Sequence, residues 1–442
     1  MHRNTVIAAY RELSAEGWIV TRPAGGTFVS AELPDAKPRR FARVAVPRDQ
    51  VPARVGFEMP PAPPRVEIPP QPAAGTLVFA SGLPDVRLAP VAELSRAYRR
   101  ALRRAGPRLL GYGEPAGEPR LRAALAGLLA EARGLSAAPE NVLVTRGSQM
   151  AIDLCAKVLL SPGDVVAVEA LGYGPAWAAL RGSGARLVPV PVDGGGVRAD
   201  ALAARERRER IRALYLTPHH QYPTTVGLLP GRRLQILQMA AEERIAVIED
   251  DYDNEFHYVG RPVLPLASAD RAGVVLYVGT LSKILAPGLR IGFLVAPQPF
   301  VERAAALRQV MDRQGDRTVE EAVAEMLEDG EVQRHARRMR GVYAARREAL
   351  GAALEKHLAG AITFELPQGG MAIWGAVDPS IDVEAWAARG AAAKVAFSTA
   401  RRFAFDGRAR GFVRLGYANL TEREIEDGVK RMQRALVSRK SA

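Results

Sequence analysis

Residues 279–293 read GTLSKILAPGLRIGF. This stretch continues the buried-looking run Val274–Gly279 and sets Thr280, Ser282 and Lys283 at that run's end, with Arg290 shortly after. Ligand sites in α/β sheets gather at strand ends. A lysine amine placed there can condense with an aldehyde, and two hydroxyls with an arginine can hold a phosphate dianion beside it. A loop lysine by itself reads as surface charge; its neighbours in sequence are what give Lys283 meaning.

Upstream, the run Ala246–Asp250 opens the acidic string EDDYD at 249–253. Asp250 then stands where a carboxylate can pair with a protonated pyridine nitrogen, and Tyr252 where it can bond a phenolic ring oxygen. Without the lysine motif, Asp250 and Asp251 would read as helix caps or surface acids. Further upstream, Asn141–Thr145 runs into Arg146-Gly147-Ser148-Gln149 and an apolar helix. Backbone N–H groups at such a helix start face an anion site, although many helices open on Gly-Ser-Gln without one.

The same alternation extends through the middle of the chain. Asn141–Thr145, Val165–Glu169, Ala213–Thr217, Ala246–Asp250 and Val274–Gly279 are short apolar runs separated by helical stretches. This pattern predicts an α/β fold, a mostly parallel sheet with helices on both faces. The last hundred or so residues, with a long basic helix, strands at Gly370–Gly375 and Gly411–Tyr417 and a closing helix from Thr421, predict a smaller α+β domain. At the other end, Val6, Tyr10 and Leu13 recur at helical spacing between Arg3 and Glu16. Trp18–Arg22 and Thr27–Ser30 flank Pro23-Ala24-Gly25-Gly26, so a hairpin follows that helix. Prolines crowd residues 31–74, where neither helix nor central strand persists. The organisation expected is therefore a small unit at 1–30, a linker at 31–74, a large domain at 75–325 and a small domain at 326–442.

Composition sets the outer bounds. A chain of 442 residues has room for two or three folding units. Its one cysteine, Cys155, excludes a disulfide framework and a cysteine-based zinc site, and no metal site is read. No apolar run approaches the roughly 18 to 20 residues of a membrane span, and no signal peptide is visible. The expected location is cytoplasmic, with no membrane partner. The net charge of +13 is compatible with nucleic-acid or membrane-surface affinity, or with the arginine and alanine excess of a GC-rich coding sequence. Within that excess, Arg96–Arg108 and Arg334–Arg347 fall at helical spacing and read as solvated helix faces.

In this order and with these spacings, the segments from 75 to 440 resemble the fold-type I pyridoxal-phosphate enzymes of the class I/II aminotransferase family. The resemblance implies pyridoxal 5'-phosphate as cofactor and Lys283 as the residue forming the internal aldimine. Asp250 becomes the partner of the pyridine nitrogen and Tyr252 that of the ring hydroxyl. Gly147, Ser148, Gln149, Thr280, Ser282 and Arg290 match the phosphate cup. Tyr173, in EALGYGP, matches the aromatic residue stacked on the ring, and Arg414, in FVRLGYAN, matches the arginine that grips the substrate carboxylate. Tyr112, in YGEPAGEPRLR, is similar to the tyrosine offered to the other subunit's phosphate, which implies a homodimer. One segment departs from the family. Where ordinary aminotransferases carry Asn-Pro-Thr-Gly, this chain has HHQYPTT at 219–225, so Tyr222 stands near the place of the ring-hydroxyl asparagine and Thr225 replaces the glycine. His219 and His220 otherwise read as structural histidines.

Residues 2–30 resemble the second half of a GntR-type winged helix-turn-helix, its recognition helix and wing. Joined to HQYP, EDDYD and the RHARRMRGVYAARR helix, they give the layout of the MocR (GabR-like) regulators. That resemblance implies a body that senses an amino compound and a winged helix that reads DNA, with Arg3, Asn4 and Thr5 near bases or phosphates. The family's opening helices have no counterpart before Met1, and a start codon set too late is the expected explanation. Two functions stay open: such a regulator, or a plain aminotransferase acting on an amino acid and a 2-oxo acid without DNA binding.

Overall fold

The computed structural model describes residues 2–31, 54–59, 73–80, 82–260 and 263–436. The chain divides into two compact units, Met1–Ala62 and Pro63–Ala442. In the first, helix Arg3–Ala15 starts on His2, whose side chain accepts from the Asn4 amide at 3.4 Å. Gly17, at φ +82°, follows the helix and leads into an antiparallel hairpin of Ile19–Arg22 with Gly26–Val29. This is the helix and hairpin expected from the sequence. No residue of the helix is buried, and Val6, Ile7, Tyr10 and Leu13 lie exposed along it. Most of the proline-rich stretch, 32–53 and 60–72, lies outside the described residues.

The second unit is built on a seven-stranded sheet. Its order is Val142–Thr145, Gly292–Val295, Val275–Thr280, Ala246–Asp251, Ile211–Leu216, Val165–Glu169 and Arg186–Val190. Gly292–Val295 runs antiparallel to both its neighbours, and the other six strands point one way. The central strands are buried almost throughout because helices cover both faces, which is why they read as continuous apolar runs. One face packs Ile152, Trp177 and Tyr215, and the other Leu125, Val144 and Phe293. Cys155 is a wholly buried part of the first of these cores.

Strand Val165–Glu169 has the limits read in the sequence, and the others differ by one or two residues. At Ala213–Thr217 the reason is visible. Thr217 lies just beyond strand Ile211–Leu216 because its hydroxyl donates to Glu169 at 2.8 Å and accepts from the Tyr222 amide at 2.8 Å.

A second, antiparallel sheet runs Ile362–Phe364, Ala372–Val377, Phe412–Gly416, Ser398–Thr399. Helices Glu331–Leu358, Val383–Ala392 and Glu422–Leu436 accompany it, with Leu350, Trp386, Leu415 and Met432 in the shared core. Phe79 joins that core, and Leu77–Val78 pairs in parallel with Val395–Ala396.

The two arginine clusters behave differently from each other. Arg96, Arg99, Arg100, Arg103, Arg104 and Arg108 are exposed, as expected of a solvated face. Three of them ion-pair with buried carboxylates: Arg100 with Glu325, Arg104 with Glu321 and Arg108 with Glu118. The second cluster corrects the sequence reading at its C-terminal end. Arg346 and Arg347 are buried, the first 3.0 Å from Asp85, the second donating to the Pro367 carbonyl at 2.8 Å.

Candidate functional site

Lys283 stands three residues beyond strand Val275–Thr280, half-buried, and its Nζ donates to the Gly82 carbonyl at 2.6 Å. Burial lowers its pKa, opposed by Asp253 and Asp250 and assisted by Arg414 and Arg290. The free amine, which is the nucleophilic form, is thereby made more accessible. Gly82, which sequence reasoning missed, has φ +68°, and a Cβ on it would lie 3.7 Å from Nζ.

All four acids of EDDYD are buried, which excludes their reading as surface caps. Asp250 accepts from the Tyr215 hydroxyl at 2.7 Å on Oδ2, while Oδ1 is buried without a partner among the described residues. Burial raises its pKa to about 6 against the Tyr215 hydrogen bond. Asp251 accepts from Tyr277 at 2.7 Å and lies 3.8 Å from the buried Arg133. Glu249 accepts from the Leu266 and Ala267 amides at 2.7 and 2.9 Å. Tyr252 donates its hydroxyl to the His220 carbonyl at 3.0 Å.

The sheet itself assembles the anion cup. Thr280 pairs with Gly292, and Gly292 with Thr145, so the ends of three strands meet. Ser148 begins helix Ser148–Leu159 behind Gly147, whose φ is +79°. A Cβ on Gly147 would sit 2.7 Å from Arg290 Nη2, which donates to the Arg146 carbonyl at 2.7 Å. Thr280 Oγ1 lies 2.9 Å from Ser282 Oγ. Gly147, Ser148, Thr280, Ser282 and Arg290 thus come together. Gln149 differs: its side-chain amide donates to the Pro175 carbonyl at 3.0 Å and ties down the first turn of helix Gly174–Gly182, which follows Tyr173.

Tyr173 and Tyr222 meet edge to face at 5.6 Å, and Tyr222 meets Tyr252 and Phe403 in the same manner. Burial raises the Tyr173 hydroxyl pKa to about 12. Arg414, on strand Phe412–Gly416, is fully buried; its Nε donates to the Pro223 carbonyl at 3.2 Å and its guanidinium lies 4.5 Å over the Tyr222 ring. Its two terminal nitrogens have no hydrogen-bond partner among the described residues. A cavity of about 630 Å³ adjoins Tyr173 and Tyr222 and adds Arg402 and Phe403, which the sequence did not single out. Tyr112 is 79% exposed, with the Arg313 guanidinium 4.1 Å over its ring. Arg3, Asn4 and Thr5 form the exposed first turn of the N-terminal helix, in the other unit.

HHQYPTT places its histidines behind Tyr252. His220 Nδ1 lies 2.8 Å from Asp253, and burial holds the His219 pKa down to about 4. Neither His219 nitrogen has a hydrogen-bond partner among the described residues.

Residues 76–432 match the family model described as aminotransferase class I and II. The chain belongs to this family. It is 33% identical to the probable rhizopine catabolism regulatory protein MocR of Rhizobium meliloti, over 100% of this chain and 87% of that protein. It is 33% identical to the HTH-type transcriptional regulator TauR of Rhodobacter capsulatus, over 98% of this chain and 89% of that protein. The 2-aminoadipate transaminase of Thermus thermophilus is 36% identical over 82% of this chain and 90% of its own. The crystal structure of LysN, the α-aminoadipate aminotransferase of Thermus thermophilus complexed with N-(5'-phosphopyridoxyl)-L-leucine, superposes with a TM-score of 0.76 at 34% identity, covering 82% of this chain and 92% of that one. Within the aminotransferase class I and II family, this member is of the MocR kind, and its cofactor is pyridoxal 5'-phosphate.

The residues present fit that group. A buried, unpaired Asp250 oxygen suits a protonated ring nitrogen, a cup that a Cβ at Gly147 would fill suits a phosphate, and the half-buried Lys283 amine suits an aldehyde. No helix among the described residues is long and apolar enough to cross a membrane.

Proposed function

We propose that this chain is a pyridoxal 5'-phosphate-dependent transcriptional regulator of the MocR type, whose aminotransferase-like body takes up an amino compound and passes its state to the helix-and-hairpin unit. The extent of the similarity carries this reading. MocR and TauR are matched over 100% and 98% of the chain, through helix Arg3–Ala15 and its hairpin, against 82% for the transaminase. Arg3, Asn4 and Thr5, exposed on the first helical turn, are the residues proposed to face DNA. Tyr112, which is exposed, is proposed to reach the phosphate of a second subunit in a homodimer.

When bound, the cofactor supplies an aldehyde and a ring that accepts electrons. The chain's own groups do the rest. Lys283 offers a half-buried amine whose pKa is lowered, ready to attach and to carry a proton at Nζ. Asp250 Oδ1 would hold the proton of the ring nitrogen, and Tyr215 fixes the other oxygen. Gly147, Ser148, Thr280 and Ser282 would hold the phosphate and Arg290 would offset its charge, with the Gln149 side chain bracing the start of helix Gly174–Gly182. Tyr173 would stack on the ring, and Tyr222 and Tyr252, which meet edge to face, would lie near its hydroxyl. Arg414 grips the carboxylate of an amino-acid-like effector through its unpaired terminal nitrogens.

Turnover separates this reading from a plain aminotransferase. Given cofactor, amino donors and 2-oxoglutarate, a regulator shows half-reactions at most, and sustained multiple turnover would favour the enzyme. Lys283→Ala is expected to abolish the visible absorbance of the attached cofactor; a variant that kept that band would sink the site assignment. DNA from its own promoter region should be bound, with an affinity that changes when the amino compound is added.

A further inference from the structure

His219, His220 and His257 converge beside the cofactor pocket, and each offers a ring nitrogen within 4.8 Å of the other two. Two are sequence neighbours after strand Ile211–Leu216. The third is delivered by an isolated antiparallel bridge between His257 and Gly369. Buried imidazole nitrogens are costly without partners. Yet neither nitrogen of His219 closes a hydrogen bond among the described residues, nor does either nitrogen of His257, which faces the Val259 backbone without closing one. His220 is different. Its Nδ1 is held 2.8 Å from Asp253, itself buried, which leaves Nε2 as its free ligand atom.

We propose that these three histidines form a binding site for a divalent transition-metal ion of the zinc type. A histidine ligand that gives its second nitrogen to a carboxylate, as His220 does to Asp253, is the usual outer support of a zinc site. Zinc at about 2.0–2.1 Å from each nitrogen needs those nitrogens about 3.4 Å apart, and they now lie within 4.8 Å of one another. His257 is the least buried of the three. Gly369 packs closely against the His220 ring, since a Cβ there would lie 2.2 Å from Nε2. The fourth position faces a cavity of about 670 Å³ that all three histidines line, so a water or an effector group has access to the ion.

Nearby charge runs both ways. Arg233 faces His219 and Arg340 faces His257, against Asp251 and Asp253. Both arginines are tethered to backbone carbonyls, Arg233 to Pro218 at 3.0 Å and Arg340 to Glu255 at 2.8 Å. Occupancy would register at the cofactor pocket, because Tyr252 donates to the His220 carbonyl and Asp253 acts on Lys283.

The test uses the full chain with its cofactor, stripped of metal by chelator dialysis and titrated with Zn2+ against a chromophoric chelator, and separately with Co2+. One Zn2+ per chain is expected, with visible Co2+ bands of low-symmetry four-coordinate geometry. His219→Ala and His257→Gln should each remove the site. Asp253→Asn should weaken it by about 10–100-fold, the loss usual for an outer carboxylate. Lys283→Ala should leave zinc stoichiometry unchanged, which separates this site from metal held by the cofactor. If His219→Ala fails to fold, the half-buried His257→Gln decides. Less than one ion per chain, or binding unaltered in His257→Gln, overturns the proposal.

Discussion

Tyr215 donates to Asp250 Oδ2 at 2.7 Å and so turns Oδ1 toward a space where no described residue meets it. Both side chains project from neighbouring parallel strands, which makes the orientation a property of the sheet. Asp250→Asn should therefore keep the fold but lose the charge facing the ring nitrogen. The amine-dependent change in cofactor absorbance should slow by about 100-fold, the scale of about 1.5–3 kcal/mol for a charged hydrogen bond. Tyr215→Phe should give a smaller loss of the same kind. Stopped-flow absorbance on the two variants checks the order; equal rates in Asp250→Asn and the parent would remove Asp250 from the site.

Gly147 makes a second, independent prediction. Its φ of +79° and the Arg290 guanidinium pressed against it leave no room for a methyl group. Gly147→Ala should displace Arg290 and open the phosphate cup, lowering cofactor affinity by at least about tenfold, or about 1.4 kcal/mol, with a stability cost of about 1–3 kcal/mol from the strained backbone. Fluorescence titration of the cofactor-free protein reads the first effect, and thermal unfolding the second.

What was legible in the sequence depended on how local its cause was. The parallel strands were readable because burial on both faces leaves uninterrupted apolar runs, and Lys283, Asp250 and Arg414 because the family resemblance fixes each within a short motif. Gly82 was not, since its contact with Lys283 spans 201 positions and exists only once the fold brings them together. Arg346 and Arg347 show the same limit. Helical spacing cannot distinguish a solvated arginine from one whose Asp85 partner lies 261 residues away. Tyr215 carries no local signal of its contact with Asp250, 35 residues away, and the segment between His220 and His257 carries no hint of their convergence.

Glu169 predicts a pH dependence. It is buried on strand Val165–Glu169, accepts from the Thr217 hydroxyl at 2.8 Å and amide at 3.2 Å, and burial raises its pKa to about 8 from an ordinary 4.5. A carboxyl whose folded pKa is raised contributes its full stability below its unfolded value. That contribution declines as pH rises from there and is gone above the folded pKa. Glu169→Gln stays neutral, so in the cofactor-free protein it should match the parent near pH 4.5 to 5 and exceed it increasingly toward about pH 8, by several degrees in Tm. A constant Tm difference across that window would contradict the burial of an ionisable Glu169.

Arg414 carries the prediction about what the protein senses. The guanidinium is fully buried, Nε is held by the Pro223 carbonyl, and the ring of Tyr222 lies 4.5 Å beneath it. A buried cation with two unpaired terminal nitrogens is costly unless an anion completes it. The planar fork of those nitrogens matches a carboxylate in two parallel hydrogen bonds, which lysine cannot reproduce. Arg414→Lys should thus lose about 1.5–3 kcal/mol of affinity for carboxylate-bearing amines, one to two orders of magnitude, while its response to the corresponding decarboxylated amines stays within about threefold. Removing the charge with Arg414→Met should relieve the unpaired cation and raise the Tm of the ligand-free protein even as carboxylate recognition fails. Spectral titration with matched amino acid and amine pairs measures the difference, and a loss shared equally by both classes would show that Arg414 supports the fold without reading the ligand.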